Sequence, residues 1–128
     1  MAKTRKVIDA EAKLADLRSA IDGVDGALVV LLARRFEFVQ EVVEAKLALG
    51  LPAAIPARVE EVITRVRAEA ERQGFLADVT EKIWRLLIDE MIRYEEGQFN
   101  KRTLRPFSKD VSEGGRGYGR LRNVVLSV

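Results

Sequence analysis

Three cations recur along one stripe of an otherwise apolar helical pattern. Alternating steps of three and four residues pick out Arg18, Ile21, Asp25, Leu28, Leu32, Arg35, Val39, Val42, Lys46 and Leu49, the a/d spacing along which one helix buries itself against another. A cation on such a stripe snorkels, pairs with an acid or receives an anion. Lys46 follows Arg35 by eleven residues, which at 100° per residue returns it to within about 20° of the same direction. The two heads therefore flank one patch, roughly 16 Å apart at the backbone, and both are long enough to reach a small anion between them. Arg18 precedes Arg35 by 17 residues, about 25 Å along a helix, and reaches the same ligand only from a second, antiparallel chain. Trp84, Ile88, Met91 and Glu95 step by four, three and four, which puts an acid on the buried face of a later helix. Arg58 falls in the first turn of another, where the positive end of the dipole disfavours a cation unless an anion binds there. Together these residues describe a pocket for a compact dianion with one carboxyl donor. The purely structural alternative is that Asp25 and Glu95 neutralise Arg18 and Lys46 and fix register.

Composition limits the chemistry further. The chain has neither histidine nor cysteine, which removes the commonest general base, the commonest metal ligands and any thiolate or disulfide. A reaction here must run on Arg, Lys and carboxyl groups, or need very little acid–base help. No apolar run approaches the roughly 20 residues of a membrane span, and MAKTRKVIDAEAK lacks the apolar core of a signal peptide. A cytoplasmic protein with no membrane partner is expected. The net charge of +2 is uneven, because residues 100–128 hold seven Arg or Lys against two acids while residues 1–99 sum to −3.

The elements that must position the charges are all helical. The pattern predicts an all-α fold of three helices, long, short and medium: about Asp9 to Leu49, Pro56 to Arg72 and Ala77 to Phe99. The seam keeps its register through Gly23 and Gly26, so the first helix is expected to continue across them. Forty residues of helix run about 60 Å, far beyond a domain whose radius of gyration is near 13 Å, so an intertwined homodimer is the expected remedy. GLPAAIPA, residues 50–57, punctuates the first two helices. The second should bury Val59, Val62, Ile63, Val66 and Ala70, and the third Ile83, Trp84, Leu87, Ile88, Met91 and Ile92. A domain of residues 1–99 is followed by a basic, Gly-rich extension, residues 100–128. KRTLRPFSK and GGRGYGRLR leave open a helical dimerisation module with a nucleic-acid-binding tail, although the acidic body makes nucleic acid the less expected partner.

LADLRSAIDGVDGALVVLLARRFEFVQEVVEAK resembles the first helix of the all-α, intertwined-dimer (type II) chorismate mutases, whose opening reads L-x-x-L-R-x-x-I-D-x-I-D-x-x-L-x-x-L-L-x-x-R and then V-x-x-x-K. The likeness continues through PARVEEVITRV and WRLLIDEMIRYE, about residues 14–99 in all. It implies a two-site homodimer that rearranges chorismate, a dicarboxylate, to prephenate in phenylalanine and tyrosine biosynthesis. Arg35 and Arg18 of the second chain would hold the carboxylates. Lys46 would donate to the ether oxygen, Arg58 would line the pocket, and Glu95 would be the second donor where many members have glutamine. The rearrangement is pericyclic and suits a site without histidine, since holding the reactive conformer and placing positive charge at the ether oxygen suffice. Arg58-Val59 departs from the frequent R-E pair, so the contact to the substrate hydroxyl is missing. AAIPARV also resembles the loop of isochorismate-pyruvate lyases, relatives on the same fold that make salicylate. That reaction and an aminodeoxychorismate mutase are the alternatives to the favoured mutase.

Overall fold

The computed structural model describes residues 2–103, and these hold three helices: α1 (Arg5–Leu49), α2 (Pro56–Arg72) and α3 (Ala77–Thr103). The all-α expectation is met, with α2 bounded as its sequence pattern predicts. The described chain falls into two compact units, divided within α1 between Phe38 and Val39.

In the first unit the chain is a single helical stretch. It begins four residues before Asp9, because Thr4 caps it: the Thr4 hydroxyl accepts the Val7 N–H at 3.3 Å, and its carbonyl accepts the Ile8 N–H at 3.1 Å. Gly23 and Gly26 do not interrupt it, and a Cβ added at either would meet nothing within 4 Å. Leu14, Leu17, Ile21, Leu28 and Leu32 are all at least 44% exposed in this single chain.

The second unit packs the end of α1 with α2 and α3. Its core is Val43 of α1, Ala53 of the connecting loop, Ile63 and Ala70 of α2, and Ile88 of α3. Val59, Val62 and Val66 are half-buried, as the α2 stripe requires, and so are Trp84, Leu87, Met91 and Ile92. Ile83 departs from expectation and is 48% exposed, beside Leu86 at 64%. These two belong to a second apolar edge of α3 that a single chain does not cover. α3 also runs past Phe99 to Thr103, and Arg102 in its last turn pairs with Glu44 of α1, a cation where the dipole favours one. Of the basic extension, residues 100–103 are therefore helical, and the rest lies outside the described residues.

Two glycines set the corners of this unit. Gly50 and Gly74 hold φ of 68° and 69°, a conformation in which a Cβ is strained. Each closes its helix in the same way. The Leu51 N–H reaches the Lys46 carbonyl and the Gly50 N–H that of Leu47; after α2, Phe75 reaches Ala70 and Gly74 reaches Glu71. This pairing satisfies the last carbonyls and turns the chain sharply.

The glycines therefore separate into two kinds. Gly74→Ala should lose about 1 kcal/mol to backbone strain, whereas Gly23→Ala should gain up to about 1 kcal/mol of helix propensity. Urea unfolding of the two variants should move the midpoint in opposite directions.

Candidate active site

The sharp exit from α1 decides where Lys46 can reach. Its carbonyl is used by the Leu51 N–H in the helix-closing turn, while its side chain crosses the mouth of that turn to the returning loop and to α3. The Lys46 Nζ donates to the Ala53 carbonyl at 2.7 Å and to Glu95 Oε2 at 2.9 Å. The ammonium thus joins α1, the α1–α2 loop and α3 at one point. Both side chains of the ion pair are sheltered, 16% exposed for Lys46 and 7% for Glu95. Among the described residues no buried side-chain nitrogen or oxygen lacks a partner. An ammonium has three N–H bonds, and two are committed here, which leaves one for a ligand.

Glu95 faces inward as its spacing predicts and is one of the few buried polar residues of the described chain. Its partner in the free protein is Lys46, so the internal ion pair that the sequence offered as a structural alternative is formed. A pair at this depth is costly to break from one side, since the survivor is left desolvated and uncompensated. It also stores a donor and an acceptor side by side where an incoming anion could separate them.

Arg58 lies in the first turn of α2 with its side chain 57% exposed, and its Nη1 donates to Glu61 Oε1 at 2.9 Å. The cost of a cation at the helix start is thus offset locally by an acid three residues on, which also accepts from Arg65 at 3.1 Å. Lys46, Arg58 and Glu95 all belong to the second unit. Arg18 and Arg35 belong to the first, Arg18 exposed and Arg35 half-buried. Two polar partners escaped sequence reasoning. One is the Ala53 carbonyl, a backbone acceptor in a loop without periodicity. The other is the contact of Arg85 with Glu60, which ties α3 to the start of α2 at 3.1 and 3.2 Å.

Residues 17–96 match the family described as chorismate mutase type II, a span that includes all five of these charged residues. The chain is 37% identical over 118 residues to the T-protein of Enterobacter agglomerans, covering 91% of this chain and 32% of that one. It is 38% identical over 109 residues to the T-protein of Haemophilus influenzae, covering 84% and 28%. To the chorismate mutase of Methanocaldococcus jannaschii it is 31% identical over 77 residues, covering 60% of this chain and 78% of the relative. The chain thus spans about a third of the length of the two T-proteins. With 91% of this chain matched, the likeness to the first extends past Thr103 into the basic segment, for which the sequence alone suggested no relative.

The buried pair gives a direct stability test. Glu95→Ala should cost roughly 3 kcal/mol by leaving Lys46 uncompensated, and replacing both by Leu and Met should recover most of that loss. Chemical unfolding at pH 7 reads both. Equal losses in the single and double variants would mean that the pair is not what the fold depends on at this point.

Proposed function

Since the chain belongs to the chorismate mutase type II family, we propose that it converts chorismate to prephenate, as a cytoplasmic homodimer whose sites are shared between subunits. The observation that carries this reading is the sheltered Lys46–Glu95 pair. It sets a fixed cation and a carboxyl group next to each other, the two donors that an ether oxygen needs as it gains negative charge.

The rearrangement breaks one C–O bond while a C–C bond forms, so the chain need supply no nucleophile and no cofactor. Arg35 and the partner's Arg18 hold the two carboxylates and select the folded conformer, which removes much of the entropic barrier. The uncommitted N–H of Lys46 meets the ether oxygen. Glu95 leaves its ion pair with Lys46 and, as the acid, donates from the other side. Arg58 leaves Glu61 for the substrate.

Dimerisation is supported by the apolar surface that one chain leaves in water. Leu14, Leu17, Ile21, Leu28 and Leu32 of α1, with Ile83 and Leu86 of α3, are each more than two-fifths exposed. A soluble monomer seldom leaves the apolar stripe of so long a helix uncovered, and the seam spacing fits a second helix of the same kind. Half-buried Val59, where the family often has an acid, favours one rival, isochorismate cleavage to salicylate and pyruvate.

The deciding experiment offers purified protein chorismate and isochorismate in separate reactions. Prephenate from chorismate is the expected product; salicylate at a much higher rate would transfer the site to the lyase, and no product from folded dimer would return the cations to a structural role. The shared site is tested by mixing inactive Arg18→Ala and Lys46→Ala chains, which should regain activity through heterodimers holding one intact site.

A further inference from the structure

α2 begins with little to hold it. Its N-cap residue, Ile55, is extended and makes no side-chain cap bond, Pro56 contributes no N–H, and the first turn carries no acid. The Arg58 and Val59 N–H groups both turn back to the Ile55 carbonyl. Its apolar side is seated by half-buried Val59 and buried Ile63, and its polar side is fixed about the axis from outside the helix. Two side chains from other elements do so. Lys46 holds the Ala53 carbonyl just before the helix, and Arg85 of α3 grips Glu60 with both terminal nitrogens, Nη1 to Oε1 at 3.1 Å and Nη2 to Oε2 at 3.2 Å.

Arg85 is itself braced. Its Nε donates to Glu81 Oε2 at 2.8 Å, and Glu81 Oε1 accepts from Arg67 Nη1 at 2.9 Å. Arg67 in turn donates to Asp78 Oδ1 at 2.9 Å. The hydrogen bond from Arg85 holds the Glu60 carboxyl below the usual glutamate range, so the grip persists at neutral pH. Surface ion pairs of this kind add little stability, and the value of the arrangement is geometric. Glu60 and Arg58 are two positions apart, about 200° around the helix, so fixing one sets the direction of the other. Rolling α2 by about 20° would swing a guanidinium reaching some 8 Å from the axis by roughly 3 Å, enough to separate it from a bound carboxylate.

We propose that Arg85 is a positioning residue: its two-point grip on Glu60 fixes the roll of the first turn of α2 and thereby aims Arg58 at the substrate. The role rests on the reading of Arg58 as a substrate-lining residue, and it works through Arg58 alone.

The test compares Arg85→Ala, Arg85→Lys, Arg58→Ala and the Arg85→Ala/Arg58→Ala double variant in the full chain, with Arg93→Ala, an exposed arginine paired with Glu90, as control. Arg85→Ala should raise KM for chorismate about fivefold while kcat stays within about twofold. Backbone amide exchange should quicken at residues 57–61 and stay unchanged in the control. Arg85→Lys should rescue only part, because an ammonium cannot grip both Glu60 oxygens and Glu81 together. In the Arg58→Ala background the same change should add nothing to KM. A rise in KM as large with Arg58 absent as with it present overturns the proposal, as does wild-type KM in Arg85→Ala. A chain that leaves chorismate untouched overturns the functional reading and the positioning role with it. An active chain in which Arg85→Ala is silent overturns the positioning role alone.

Discussion

A single ammonium group holds the second unit in register. Lys46 stands in the last turn of α1, and its head group binds the Ala53 carbonyl in the loop and Glu95 on α3. Three segments are thereby fixed to a common point. The arrangement depends on Gly50, whose left-handed backbone turns the chain back within reach of the side chain four residues before it. A lysine suits this task because its point charge on a flexible stem can divide three bonds among differently oriented acceptors, which the planar fork of arginine cannot.

The charges around this point fall into two classes. Glu95 and Lys46 are sheltered, so each defines the electrostatic environment of the other and neither is dispensable alone. The pairs between α2 and α3, from Glu60 through Arg85 and Glu81 to Arg67, are more open to water, with Glu60 64% exposed. Solvent weakens such pairs energetically but leaves their geometry in place. The sheltered pair carries charge, and the open ones carry direction.

Much of this was legible in the sequence, for identifiable reasons. α2 could be bounded at Pro56 and Arg72 because proline opens it, Gln73-Gly74 closes it, and its apolar stripe has the helical period. The inward position of Glu95 followed from Trp84, Ile88 and Met91 by spacing alone. Other features were hidden. Thr4 caps α1 ahead of the apolar pattern, so periodicity placed the helix start too late. Ile83 has the spacing of a core residue and yet is exposed in the single chain, since periodicity says that a face is apolar without saying which chain covers it. The partner of Lys46 in the loop is a backbone carbonyl, which no side-chain pattern announces. The grip of Arg85 on Glu60 joins residues 25 apart among 42 charged ones, too many candidate pairs for spacing to choose between.

The first unit has a consequence for how the protein comes to exist at all. A lone helical stretch with its leucines in water gains almost nothing from burial to offset the entropy of ordering its backbone. Whatever covers those leucines supplies that missing free energy, so the order of the stretch is governed by mass action. Its helicity should depend on how much of its cover is present, in a way that the packed second unit does not share. With the second copy proposed above as that cover, dilution becomes a structural variable for this chain: lowering its concentration far enough would melt one end of a continuous helix while the other end, anchored by Val43 and Lys46, stays folded.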